Sequence, residues 1–178
     1  MLKSLSVLRK SFVFMSVALI GSMLLVAGCG GDEEAEDMSA DAPEANGAAI
    51  IEYLNSADYQ NAWQHLPGVE PLYTGQDPHG ALLSTYFNAI ALKAITDKAG
   101  SVPEGGIVLK ENYMPDGTLA AITVMYKPAG YENPDANGWF FLKYAPDGAI
   151  EAEGMVQGCT ECHSDVSDND FLFSADVK

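Results

Sequence analysis

Near its C-terminus the chain reads Cys159-Thr160-Glu161-Cys162-His163. No other stretch constrains the fold as much. Two thiols one helical turn apart reach the two vinyl groups of one porphyrin, and the imidazole that follows falls beneath the iron. This is the attachment pattern of a c-type haem. Two other readings of the cysteines compete. A thioredoxin-like redox pair belongs after an early strand in a βαβ unit, whereas this pair sits near the end of the chain. A zinc site needs a fourth ligand, and only His65 and His79 remain to supply imidazole. The stronger reading is one covalently held haem c, bonded through Cys159 and Cys162 and ligated at the iron by His163.

Covalent haem attachment takes place outside the cytoplasm, and the other end of the chain agrees. Residues 1–28 read as a signal peptide. Lys3, Arg9 and Lys10 form its basic end, and the apolar run from Phe12 to Val26 is shorter than the roughly 20 residues a membrane span needs. The run closes on Leu25-Val26-Ala27-Gly28-Cys29-Gly30, which resembles the lipobox of bacterial lipoproteins. That resemblance implies lipidation of Cys29 and anchorage to the membrane through the N-terminal lipid. Gly30 stands where an Asp would favour the inner membrane, so the expected location is the outer membrane, facing the periplasm. The cysteine count then closes, with one thiol for lipid and two for haem.

Residues 29–47 are acidic and small, without periodicity, and suit a disordered tether. With the leader removed, six lysines and no arginine stand against 25 acidic groups, a formal −19. Such a surface repels nucleic acid and anionic lipid heads. It attracts a basic partner, such as a basic cytochrome acting as electron partner, or a cationic small molecule.

Residues 48–178 read as one domain of the α+β class. Ile50, Ile51, Leu54, Ala57 and Trp63 suggest one or two short helices, stopped by Pro67-Gly68. Asp77-Pro78 offers an N-cap with proline at the first helical position. Leu83, Tyr86, Phe87, Ile90, Ala94 and Ile95 recur at helical spacing towards Gly100. This predicts a second helix, with His79 in its first turn making a structural hydrogen bond. Beyond Pro103 four strands are expected, at 106–113, 118–127, 138–145 and 149–155. They are separated by Pro-Asp-Gly and Asn-Pro-Asp turn sequences, where proline presets φ and glycine takes positive φ. Short connections imply antiparallel neighbours, and hence a meander of four or more strands ahead of the Cys-containing tail.

The second axial position of the iron decides what such a haem does. Only 15 residues follow His163, and none is Met or His. Met114, Met125 and Met155 are candidate ligands, but residues of this type in strands usually belong to the core. An open sixth position is expected, and an open iron binds small molecules.

Several segments in order resemble the cytochrome P-460 family: Gly106-Ile107-Val108-Leu109-Lys110-Glu111-Asn112-Tyr113, Met125-Tyr126-Lys127-Pro128-Ala129-Gly130-Tyr131, Gly138-Trp139-Phe140-Phe141, and the haem motif with Asp170-Phe171-Leu172-Phe173. The resemblance spans about residues 78–175. It implies a mainly β fold, a homodimer and a five-coordinate haem, as in the related cytochrome c-prime beta. It also implies that Lys110 bonds a haem meso carbon through its amine. By period-two alternation Lys110 shares a strand face with Val108 and Asn112. The other reading is a strand-end lysine facing water, Glu111 or a haem propionate. A distal carboxylate a few residues before the motif is the family's proton acceptor, which here points to Glu153, with Glu151 on the same face. Phe140, Phe141, Trp139 and Tyr126 are candidates for the pocket wall.

Three functions are weighed, the first two implied by the resemblance and the third by the haem motif alone. One is oxidation of hydroxylamine to nitrous or nitric oxide. Another is binding of nitric oxide without turnover, as in cytochrome c-prime beta. The third is plain electron transfer through a six-coordinate haem.

Overall fold

The computed structural model describes residues 42–178. The signal peptide at 1–28, the lipidation site Cys29 and most of the tether lie outside the described residues. Helix α1 (Gly47–Ser56) starts where the tether was expected to end, with the Asn46 side chain accepting the Ala49 N–H. A short helix α2 (Tyr59–Ala62) follows.

A six-stranded sheet comes next: β1 (Tyr73–Thr74), β2 (Leu82–Phe87), β3 (Ile107–Tyr113), β4 (Leu119–Tyr126), β5 (Phe140–Tyr144) and β6 (Ile150–Gly154). Every neighbouring pair is antiparallel, and the strands lie in chain order without a crossover. The α+β meander expected from the turn sequences is present, enlarged by two strands at its N-terminal side. Helix α3 (Ala89–Thr96) sits between β2 and β3, and helix α4 (Gln157–His163) follows β6.

The helix expected from Asp77 to Gly100 is corrected. Residues 82–87 form strand β2, and only 89–96 are helical. Leu83, Tyr86 and Phe87 satisfy a helical spacing, but residues 83–87 are all buried, so the segment has no polar face by which a period could show. Its Thr-Tyr-Phe content suits a strand, and pairing from Leu82↔Tyr113 to Phe87↔Val108 fixes it. The true N-cap is Asn88, whose Oδ1 accepts both the Ala91 and the Ile107 N–H. His79 therefore lies in a loop before β2, with consequences for the site.

The sheet is covered on both faces, and strand alternation sorts its residues into two cores. Ile107, Leu109, Ile122, Val124, Phe140 and Leu142 pack against α1 and α2 through Ile50, Leu54 and Tyr59. Phe87, Val108, Met125 and Phe141 face the other way, joining Ala91 and Ile95 of α3, Trp139, and Phe171 and Leu172 of the tail. Glu111 belongs to the first set and is 1% exposed. Its carboxylate accepts hydrogen bonds from Tyr59 (2.9 Å), Gln60 (2.6 Å), Tyr86 (3.2 Å) and Tyr113 (2.6 Å), which satisfies a buried charge.

Burial pushes the phenols of Tyr86, Tyr126 and Tyr144 up to about 12, and the Glu111 carboxylate adds to this at Tyr86 and Tyr144. Folded and unfolded chains hold these protons equally below pH ~10, where the unfolded phenol titrates. Above it the unfolded chain loses them first, so their contribution to stability declines as pH rises towards about 12. In an alkaline titration, the tyrosinate absorbance of these residues should rise together with loss of near-ultraviolet circular dichroism. Complete ionisation of a still-folded protein would contradict this packing.

Candidate haem site

Helix α4 carries the motif across the face of the sheet that α1 and α2 leave free. Cys159 is half-buried, Cys162 is exposed, and His163 is buried at the end of the helix. Burial pushes the Cys159 thiol up, and burial pushes the His163 imidazole down, against the opposing pull of its hydrogen bond.

The His163 Nδ1–H donates to the Phe171 carbonyl at 2.6 Å. A carbonyl can only accept, so the proton sits on Nδ1 and Nε2 is left as the ligand atom. The Phe141 and Phe173 rings flank the imidazole, with centroids at 5.6 and 5.3 Å.

What aims the Phe171 carbonyl is Asp170. Asp170 and Phe171 both have positive φ, 53° and 63°, a conformation that costs about 1–3 kcal/mol at each non-glycine residue. The Asp170 carboxylate accepts from Lys127 Nζ (2.9 Å), the Val102 N–H (2.7 Å) and Asn137 Nδ2 (2.6 Å), and the Trp139 indole donates to its carbonyl (2.8 Å). Hydrogen bonds to a charged group contribute about 1.5–3 kcal/mol each, so the anchors outweigh the strain. None of these long-range partners is signalled by spacing in the sequence.

Two cavities open beside α4, of about 760 and 550 Å³, within the size range of cofactor sites. They meet at Pro78, His79, Lys110, Cys162 and His163, which line both. Lys110 sits mid-strand in β3, between Thr85 and Thr123. Burial pushes its ammonium down to about 8, while Cys162 acts in the opposite direction. The expectation of an inward-facing Lys110 on the Val108–Asn112 face agrees with this placement. His79 does make the expected structural hydrogen bond, to Asn112 Oδ1 at 3.0 Å, but from a loop and not a helix, and it also lines both cavities. Its ring centroid lies 6.4 Å from that of His163, and burial, then Lys110, push its imidazole down to about 4.

Glu153 is not brought to the cavities. It lies opposite Leu142 and so faces α1, where its carboxylate accepts the Gly47 N–H at 2.6 Å. An irregularity in the β5–β6 register leaves Glu151 between the pairs Lys143↔Ala152 and Tyr144↔Ile150, so the two glutamates no longer share a face. Glu151 lines the smaller cavity and pairs with Lys143 at 2.7 Å. Of the expected wall aromatics, only Phe141 lines a cavity. Phe140 and Tyr126 belong to the α1-side core, and Trp139 supports Asp170. Met114 and Met155 are exposed, and Met125 lines the smaller cavity.

The donor set fits a haem c. Two thiols sit on one helix beside a cavity pair, with an imidazole whose Nε2 is free and whose Nδ1 is held. The Lys127–Asp170 pair, with side chains 7% and 1% exposed, is the support that can be tested. Removing one member of a buried pair typically costs about 3–5 kcal/mol. Lys127→Met should lower stability by about that amount in urea unfolding, and a loss under about 1 kcal/mol would deny the pair its role.

A search of curated proteins finds no match. The family model for cytochrome P460 matches residues 56–174, the sheet and the motif helix included. The chain belongs to the cytochrome P460 family, and it is a haem cytochrome of that type.

Proposed function

We propose that the mature protein is a lipid-anchored periplasmic cytochrome holding one haem c through Cys159 and Cys162, and that it binds or oxidises a small nitrogen compound at the iron. The observation that carries this reading is the junction of two cavities on Lys110, Cys162 and His163. A flat group seated across both would meet a thiol, an imidazole and an amine at its centre and edge. When bound, the haem supplies an iron that takes small ligands and exchanges electrons.

The protein's own residues do the rest. His163 presents Nε2 in a fixed tautomer, and Phe141 and Phe173 keep water from its ring. Lys110 holds an amine that burial brings down to about 8, so its neutral form is reached far more readily than in an ordinary lysine, which suits both a bond to the porphyrin edge and a hydrogen bond to a ligand. Glu151, at the wall of the smaller cavity, is placed better than Glu153 to accept protons.

Full-length protein matured in a haem-c-attaching host should carry haem that survives denaturation, and Cys159→Ser with Cys162→Ser should abolish it. After proteolysis, the peptide containing Lys110 should remain joined to the haem peptide, and Lys110→Ala should release it. Added hydroxylamine with an electron acceptor then separates turnover from capture. A tight nitric oxide complex with no hydroxylamine oxidation would leave a binding protein, and a colourless product would end the proposal.

A further inference from the structure

His79 is the one imidazole of the site with no part in the reading above, and its surroundings repeat those of His163. The Asn112 amide nitrogen donates to Lys110 O (2.9 Å), Ala121 O (3.3 Å) and Thr123 Oγ1 (3.2 Å). Its Oδ1 accepts the Gly80 N–H (3.2 Å), so the His79 Nδ1 that lies 3.0 Å from Oδ1 must carry a proton. His79 is thereby held in the same tautomer as His163, with Nδ1–H tied to a fixed oxygen and Nε2 free. A metal-bound histidine has this arrangement.

The support is built for closeness. Gly80 lies so near β3 that a Cβ there would come within 2.5 Å of the Tyr113 nitrogen. Only glycine lets the loop bring His79 down over Asn112.

The distance between the rings agrees. A bond from a first-row metal to imidazole runs about 2 Å and the ring centre lies about 1 Å beyond the nitrogen, so two imidazoles on opposite sides of one metal have centroids about 6 Å apart. The His79 and His163 centroids are 6.4 Å apart with planes at 86°. Phe141 and Phe173, which pack directly on His163, stand closer, at 5.6 and 5.3 Å. Both imidazoles also line both cavities, where the centre of a group spanning the two would fall.

We propose that His79 is the second axial ligand of the haem iron, so that the resting protein is six-coordinate and a small molecule reaches the iron only by displacing it. This rests on the haem attachment proposed above. It replaces the open sixth position expected from the sequence with a closed one that can be opened.

The test uses the full-length holoprotein, in which covalent haem is first verified on a denaturing gel. Absence of haem at that stage defeats the attachment reading. With haem present, spin state judges His79. Ferric wild type should be low-spin without added ligand. His79→Ala should be high-spin, and imidazole should restore the low-spin spectrum. Cyanide should bind His79→Ala at least about tenfold more tightly, because the competent open state is no longer a minor fraction. A high-spin wild type overturns the proposal, and so does a His79→Ala protein that stays low-spin, which would pass the role to Lys110 or Met125. Should His79 variants fail to accumulate, the near-infrared charge-transfer band of ferric wild type decides alone. Its energy distinguishes two imidazoles from imidazole with amine or thioether.

Discussion

A sheet buried on both faces must commit each strand residue to one side or the other, and the whole molecule follows from how that commitment is made on β3. Leu109 and Glu111 point towards α1 and α2, whereas Val108, Lys110 and Asn112 point towards α4. One side is a closed core whose single buried charge is satisfied by three phenols and an amide. The other side has space, because Ala121 and Thr123 next to Lys110 are small, and α4 stands over that space instead of filling it.

The open side is held in shape from its edge. Asp170 ties the C-terminal tail to Lys127 at the end of β4, to Val102 after α3 and to Asn137 before β5. The carbonyl of the next residue then sets the tautomer of His163. A charged group buried this deeply is tolerable only with its partners in place, so the tail has one position and the proximal imidazole inherits it. Asn112 plays the same part for His79 from the middle of the sheet. The two imidazoles are thus oriented by separate networks, one in the tail and one in the sheet, and meet across the junction of the cavities.

That arrangement bears on how the three functions suggested by sequence relate to one another. A haem held between two imidazoles exchanges electrons without a substrate, and the same haem with one imidazole displaced offers its iron to a small nitrogen ligand. Electron transfer and ligand chemistry then become two states of one site. His79 is half-buried in a loop ahead of β2, whereas His163 is buried at a helix terminus against two aromatic rings. Of the two imidazoles, His79 is the more exposed, and its displacement would leave the tail that fixes His163 untouched.

The residues alone determined the parts whose signals are local. The motif Cys159–His163, the turns that separate β3 to β6, the α+β class and the inward face of Lys110 are all written within a few positions of themselves. What spacing could not decide was anything resting on distant pairing. Residues 82–87 carry a helical spacing and become a strand because β3 pairs with them. An extra residue between β5 and β6 separates Glu151 from Glu153. His79 gains its neighbour only when Gly80 settles on β3, 33 residues away along the chain. Local sequence sets which conformations a segment can adopt, but burial and hydrogen-bond satisfaction choose among them, and those are properties of the assembled fold.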